Sequence, residues 1–242
     1  MEDFSWLSRT ELITGRDGLI TLSKKNVLVV GMGGVGSFAA EFIVRAGIGK
    51  MTIVDGDAVE ASNRNRQLPA LSTTEGLLKT EIMRERLMAI NPELELEVIS
   101  RFLSPDDTRA IVQLPFDYIV DCIDSITPKA TLILEAKRAK KNVVSSMGAG
   151  GKIDPTLIRV ADLKETHTCR LALTVRKRLK QFGLRKGVKT VFSLENPIRH
   201  SLMHTDGTRY KKSAYGTISY LPAAFGGVCA SVVIRDLLKS KS

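Results

Sequence analysis

Five groups of residues at ordered intervals give this 242-residue chain the makings of a phosphate site. The run Gly31-Met32-Gly33-Gly34-Val35-Gly36 follows an apolar stretch at 26–30 and precedes an amphipathic one at 37–46. Glycines let backbone N–H groups approach an anion closely, and a helix N-terminus favours negative charge there. A second apolar stretch, 50–54, ends on Asp55, where a carboxylate accepts hydrogen bonds from a ribose hydroxyl. The order strand, glycine turn, helix, strand predicts a bound nucleotide. The plain alternative is a tight turn whose glycines serve only packing, and the position of Asp55 argues against it.

Further along stand residues that hydride transfer does not require. Asn63-Arg64-Asn65-Arg66-Gln67 follows Asp55 closely, Lys79 comes thirteen residues after Arg66, and Asp121 and Asp124 bracket Cys122-Ile123. An arginine pairs bidentately with phosphate oxygens, and a lysine adds a point charge. A carboxylate at the end of a strand holds a magnesium ion against a triphosphate. Together these neutralise charge developing on phosphates, which is the equipment of phosphate-ester chemistry. Singly, Arg66 and Lys79 read as surface charges and Asp124 as a helix or turn cap. Their ordered appearance after the glycine turn favours the joint reading.

The elements that must position these residues alternate. Strands are expected at 26–30, 50–54, 94–100, 118–121 and 142–146. Helices are expected at 37–46, 75–90, 105–114 and 129–140. The polar stretch 56–74 is too long for a simple connection, and long loops in compact domains are usually functional. The alternation predicts an α/β fold with a doubly wound, mostly parallel, Rossmann-like sheet, helices on both faces and sites at the carboxyl ends of the strands. Past Gly151 the pattern loosens: strands near 158–160 and 190–193, a basic helix at 169–182, a polar and turn-rich stretch at 196–213, and a last helix at 219–238. With no linker, one continuous domain over 1–242 is expected, with a nucleotide-binding core at about 25–150 and a basic part at about 151–242.

Composition sets the class: 43% hydrophobic and 26% charged residues mark an ordinary globular protein. No apolar run is read as a membrane span, and the acidic start lacks the marks of a signal peptide, so a cytoplasmic location is expected. Cys122, Cys169 and Cys229 lack the C-x-x-C spacing of a zinc site, and His167, His200 and His204 are too dispersed to suggest a metal cluster. Cys122 and Cys229 read as core. The net charge of +10 is concentrated: between 164 and 189, nine basic residues, among them Arg176, Lys177, Arg178, Lys180, Arg185 and Lys186, face only Glu165. Such a field attracts phosphate backbones, or it belongs to a solvated helix face.

The series G-x-G-G-V-G, Asp55, Asn63-Arg64-Asn65-Arg66-Gln67, Lys79 and Asp121-Cys122-Ile123-Asp124-Ser125 resembles that of the ubiquitin-activating enzyme superfamily, which includes the thiamine and molybdopterin adenylyltransferases. Those enzymes use ATP and magnesium to adenylate a carboxylate. The resemblance implies that the glycine turn (Gly31, Gly33, Gly34, Gly36) lies under the nucleotide and Asp55 on the ribose. It further implies that Asn63, Arg66 and Lys79 hold phosphates, that Gln67 and Ser125 belong to the ATP-binding set, and that Asp124 holds magnesium. Arg9 resembles the arginine that reaches into the site of a second subunit, which implies a homodimer. Ser146-Met147-Gly148-Ala149-Gly150-Gly151-Lys152-Ile153-Asp154-Pro155-Thr156, Arg9-Thr10-Glu11-Leu12, Arg176-Lys177-Arg178-Leu179 and Val191-Phe192-Ser193-Leu194-Glu195 are similar to the tRNA threonylcarbamoyladenosine dehydratase branch. Members activate the threonine carboxylate of a modified adenosine beside the tRNA anticodon, and the tethered nitrogen then closes a ring. That branch gives the basic segment a partner in tRNA. It leaves open whether accessory sulfur- or desulfurase-type proteins take part.

Two rivals remain. One is an adenylyltransferase for the C-terminus of a ubiquitin-like sulfur carrier with Cys169 as acceptor, against which the missing C-x-x-C pairs count. The other is a dinucleotide-binding oxidoreductase or a binding module without catalysis.

Overall fold

Apolar runs without alternation form strands that are buried on both faces, and here they meet in one sheet. The structure is a computed structural model that describes residues 3–204 and 213–239. Strands β1 (Asn26–Val30), β2 (Lys50–Val54), β3 (Glu95–Ile99), β4 (Tyr118–Asp121), β5 (Asn142–Ser146), β6 (Ile158–Asp162) and β7 (Lys189–Ser193) lie in the order β3-β2-β1-β4-β5-β7-β6. All neighbours are parallel except β6 and β7. The register sets Val30 beside both Val54 and Asp121, so β1, β2 and β4 end together on one edge.

Helices cover both faces, as expected: α1 (Ser8–Ser23), α2 (Gly36–Arg45), α3 (Lys79–Ile90), α4 (Pro105–Ile111), α5 (Ile126–Arg138), α6 (Arg170–Gln181) and α7 (Tyr220–Lys239). Alternate strand residues point to opposite sides. Val27, Val29 and Val120 pack in one core with Ile43 of α2 and Phe225 and Val233 of α7. Leu28, Val30 and Ile119 pack in another with Ile111 of α4 and Leu132 of α5. A third core joins Ile133 of α5 to Ala172, Val175 and Leu179 of α6.

Several boundaries differ from the sequence expectation. The second predicted helix begins at Lys79, not near 75, because Ala58 bridges Leu78 and Gly76 takes a left-handed turn, φ +84°. Helix α5 starts at Ile126, so Pro128 sits in its first turn, where a missing N–H costs nothing. Helix α1 was not expected. Its sequence carries a break at Gly15 (φ 70°, ψ 166°) that interrupts any apolar period. Part of the turn-rich 196–213 stretch forms a ladder between β8 (Leu202–His204) and β9 (Ser213–Tyr215). Residues 205–212 lie outside the described residues. Helix α7 corrects the reading of the apolar runs. By length and composition it could cross a membrane, although half of that stretch is buried inside the fold.

Helices α2 and α3 are joined by Glu41, whose side chain is 9% exposed and accepts from both Arg45 and Arg86. Burial raises its pKa, but the two guanidinium hydrogen bonds outweigh burial and hold it below the ordinary glutamate value. A lowered native pKa means stability that is present above the unfolded pKa and is lost as pH falls through the native one. Because both arginines are about half exposed, Glu41→Gln should cost only about 1 kcal/mol at pH 7. Urea denaturation should show that difference shrinking as pH is lowered below 4.

Candidate active site

The chain leaves β1 and turns back so tightly that a Cβ on Gly36 would lie 1.7 Å from the Gly31 carbonyl oxygen. Gly31 takes φ +97°, a left-handed conformation that L side chains rarely adopt. The turn aims the N-terminus of α2 at the edge where β1, β2 and β4 end. Asp55, just past β2, ties the turn down: its Oδ2 accepts from the Met32 N–H at 2.6 Å and its Oδ1 from the Asp57 N–H at 2.7 Å. Burial raises the Asp55 pKa; the Lys79 charge and these two backbone bonds oppose it.

Two observations give the room above the turn a polar guest of nucleotide kind. A Cβ on Gly33 would meet nothing nearer than Gln67 Nε2 at 4.0 Å, so the backbone there faces open space. Gln67 Oε1 is buried and has no hydrogen-bond partner among the described residues. Free backbone suits an ATP phosphate, while the orphaned amide oxygen, an acceptor, calls for a donor such as a nucleotide hydroxyl or amino group.

The remaining residues of the set gather at the same mouth. Arg66 Nη1 donates to Ser62 O at 2.9 Å and to Asn65 Oδ1 at 2.8 Å, while Asn65 Nδ2 donates to Thr217 O at 2.9 Å. Burial lowers the Arg66 pKa, and the charges of Asp124 and Glu60 act against this. Lys79 is 5% exposed and reaches Asp57 Oδ2 at 3.1 Å. Asn63 is turned into its own loop: its Oδ1 accepts from the Glu60 N–H at 3.2 Å. Ser125 stands at the N-cap of α5, its hydroxyl 3.4 Å from an exposed Asp124 carboxylate. Among the described residues no three His, Cys, Asp or Glu side chains cluster as a metal cage. The exposed Asp124 carboxylate is the hard oxygen donor that Mg2+ takes alongside substrate phosphates and water.

The cysteines and the basic helix divide. Cys229 is fully buried, Cys122 is half-buried just beyond β4, and Cys169 is 5% exposed at the N-cap of α6. On α6 and the loop after it, Lys177, Arg178, Lys180, Arg185 and Lys186 are exposed. Arg176 is not a free surface cation, because its guanidinium donates to Thr166 O at 2.6 Å and to neighbouring carbonyls. Arg9 lies exposed on the first turn of α1.

Sequence reasoning missed Lys129. It is fully buried, and its Nζ donates to Asp121 Oδ2 at 2.7 Å, where the Ser145 hydroxyl also donates at 2.6 Å. Asp121 thus serves this buried pair rather than the cleft. A lysine in a helical stretch gives no sign that it points inward; only the buried carboxylate across from it explains the choice.

Comparison with known proteins agrees with this geometry. The ThiF family model matches residues 7–242, and the chain is a member of the ThiF family. Within that family it belongs with the tRNA threonylcarbamoyladenosine dehydratases. It is 38% identical to the one from Bacillus subtilis over 239 residues, covering 96% of this chain and 94% of the relative. It is 39% identical to the one from Haemophilus influenzae, covering 93% and 90%. The solved structure of the E. coli tRNA N6-threonylcarbamoyladenosine dehydratase TcdA in complex with ATP superposes with a TM-score of 0.89 at 37% identity, over 99% of this chain and 98% of that one.

The two glycines should behave differently on substitution. Gly36→Ala forces backbone apart and should lower stability by at least about 3 kcal/mol in chemical denaturation. Gly33→Ala should leave the melting temperature within a few degrees and weaken ATP binding in calorimetry, because its methyl group occupies only the open space.

Proposed function

We propose that this protein uses ATP to activate the threonine carboxylate of threonylcarbamoyladenosine in tRNA and then closes the ring with release of AMP and pyrophosphate. The observation that carries this reading is the meeting of the glycine turn, Asp55, Arg66 and Asp124 on one sheet edge, in a chain alike over nearly its whole length to dehydratases of that name.

A free carboxylate is a poor electrophile. Its oxygen displaces pyrophosphate at the α-phosphorus of ATP, and the acyl adenylate that results has AMP as leaving group. The nitrogen that attacks is already tethered to the carbonyl, so ring closure gains from proximity and needs no covalent bond to the enzyme. In this scheme Asp55 orients the ribose, and the backbone at Gly33 and Gly34 together with Gln67 lies along the phosphates. Arg66 and Lys79 stabilise the negative charge that develops on the departing pyrophosphate. Mg2+ at Asp124 supplies charge neutralisation between the phosphates when bound. Asn63 supports Arg66 through its turn, since the Arg66 and Gln67 N–H groups both donate to the Asn63 carbonyl.

The exposed Lys177, Arg178, Lys180, Arg185 and Lys186 suit a tRNA backbone, with Arg176 bracing the face from beneath. Arg9 on α1, beside the exposed Leu12 and Ile13, fits a homodimer in which this arginine enters the neighbouring site. A tRNA substrate goes with the cytoplasmic location expected from the sequence. The sulfur-carrier reading calls for an accessible acceptor thiol, and the burial of Cys169 does not favour it.

Exchange of labelled pyrophosphate into ATP should depend on tRNA that carries threonylcarbamoyladenosine; exchange that depends on a sulfur-carrier protein instead overturns the proposal. Arg66→Ala and Asp124→Ala should lower AMP formation at least about 100-fold without loss of fold. Lys79→Ala should do the same with some loss of stability, because it deprives Asp57 of its ion pair. Mixing Arg9→Ala with Asp124→Ala subunits should regain about a quarter of the sites if Arg9 acts in trans, and none if it does not.

A further inference from the structure

We infer that Lys129 is a positioning residue for the metal and nucleotide cleft: through Asp121 it fixes the turn that presents Asp124 and that supports the glycine turn from below. This rests on the proposed role of Asp124 at Mg2+.

The geometry is closed at several points. One oxygen of Asp121, Oδ2, takes both the Lys129 ammonium at 2.7 Å and the Ser145 hydroxyl at 2.6 Å, so β4, β5 and α5 meet there. The other oxygen, Oδ1, takes the Ile123 N–H at 3.1 Å, which bends the chain immediately before Asp124. The Lys129 N–H donates to Ser125 O at 3.2 Å and the Cys122 N–H to Val30 O at 2.9 Å, so both ends of the segment 122–125 are anchored. A Cβ on Gly31 would lie 2.9 Å from the Cys122 carbonyl oxygen: the glycine turn rests directly on this segment. Both charges are fully buried, and Lys129 is sealed from solvent.

A buried ion pair contributes little net stability compared with well-packed neutral residues, because desolvation offsets the attraction. What it does supply is direction. Two charged groups with several defined acceptors and donors tolerate only one arrangement of the turn, whereas an apolar filling would leave Asp124 to settle among several. The ligand that reports this is MgATP, whose affinity depends on where the carboxylate stands.

The test is calorimetric and uses the full chain. ATP binding is measured in Mg2+ and again in EDTA, and the ratio of the two dissociation constants reports the metal's share. Lys129→Met alone would strand the Asp121 charge, so the informative variant is the neutral pair Asp121→Asn with Lys129→Met. Its melting temperature should stay within a few degrees, while the ratio falls about tenfold. Ser145→Ala, which leaves the ion pair in place and keeps the fold, should reduce the ratio about threefold. Asp124→Asn separates the two ideas. If it leaves the ratio unchanged, the metal reading falls and takes this proposal with it. If it lowers the ratio while the neutral pair, or Ser145→Ala where the pair does not fold, matches the parent protein, positioning by Lys129 is overturned and the metal reading stands.

Discussion

The return of the backbone from Gly31 to Gly36 is the constraint around which the cleft is arranged. No side chain fits between the two residues, and the closure leaves the Met32 N–H pointing at Asp55. Every neighbour of the turn follows from that shape. Asp55 has to end β2 at the level where β1 ends, which the register of Val30 and Val54 ensures. The segment after β4 passes close beneath Gly31, and α2 starts with its N-terminus at the opening.

The cations in this cleft are ordered before any phosphate arrives. Arg66 is bonded to Ser62 and Asn65, and Lys79 is bonded to Asp57, so neither samples solvent as a loose surface side chain would. Charge that develops during a phosphoryl displacement then meets dipoles already in place, and little reorganisation accompanies the reaction. Asn65 adds a link to a distant part of the chain, because its amide also reaches Thr217, just beyond β9. The arginine proposed to face the phosphates is therefore set in part by the C-terminal segment.

Much of this was legible in the order of residues. Strands β1, β2 and β4 are largely apolar runs, and both the glycine turn and Asp55 sit at strand ends, where the chain has to turn anyway. The start of α3 was not legible, because Leu77 and Leu78 continue the apolar period of the helix, while the left-handed Gly76 and a bridge from Ala58 to Leu78 keep them out of it. Helix α1 was hidden by its Gly15 break, and β8 and β9 are too short to show a period. Charge was the least legible property. Arg176 reads as part of an open basic segment and Lys129 shows no mark of burial, yet Lys129 is sealed in the core against Asp121 and Arg176 clamps the carbonyls ahead of α6. Sequence position says that a cation exists; the partner that turns it inward lies on another element.

Helix α7 presses on the glycine turn from behind. A Cβ on Gly226 would sit 2.5 Å from the Val35 carbonyl oxygen, and one on Gly34 would sit 3.0 Å from Pro222. During synthesis on the ribosome, β1 and α2 emerge early, while the helix that backs their turn is made about 190 residues later. A nascent chain thus carries the nucleotide fingerprint long before it has a finished wall to hold one. Until α7 is made, the turn lacks the wall that Pro222 and Gly226 form behind it.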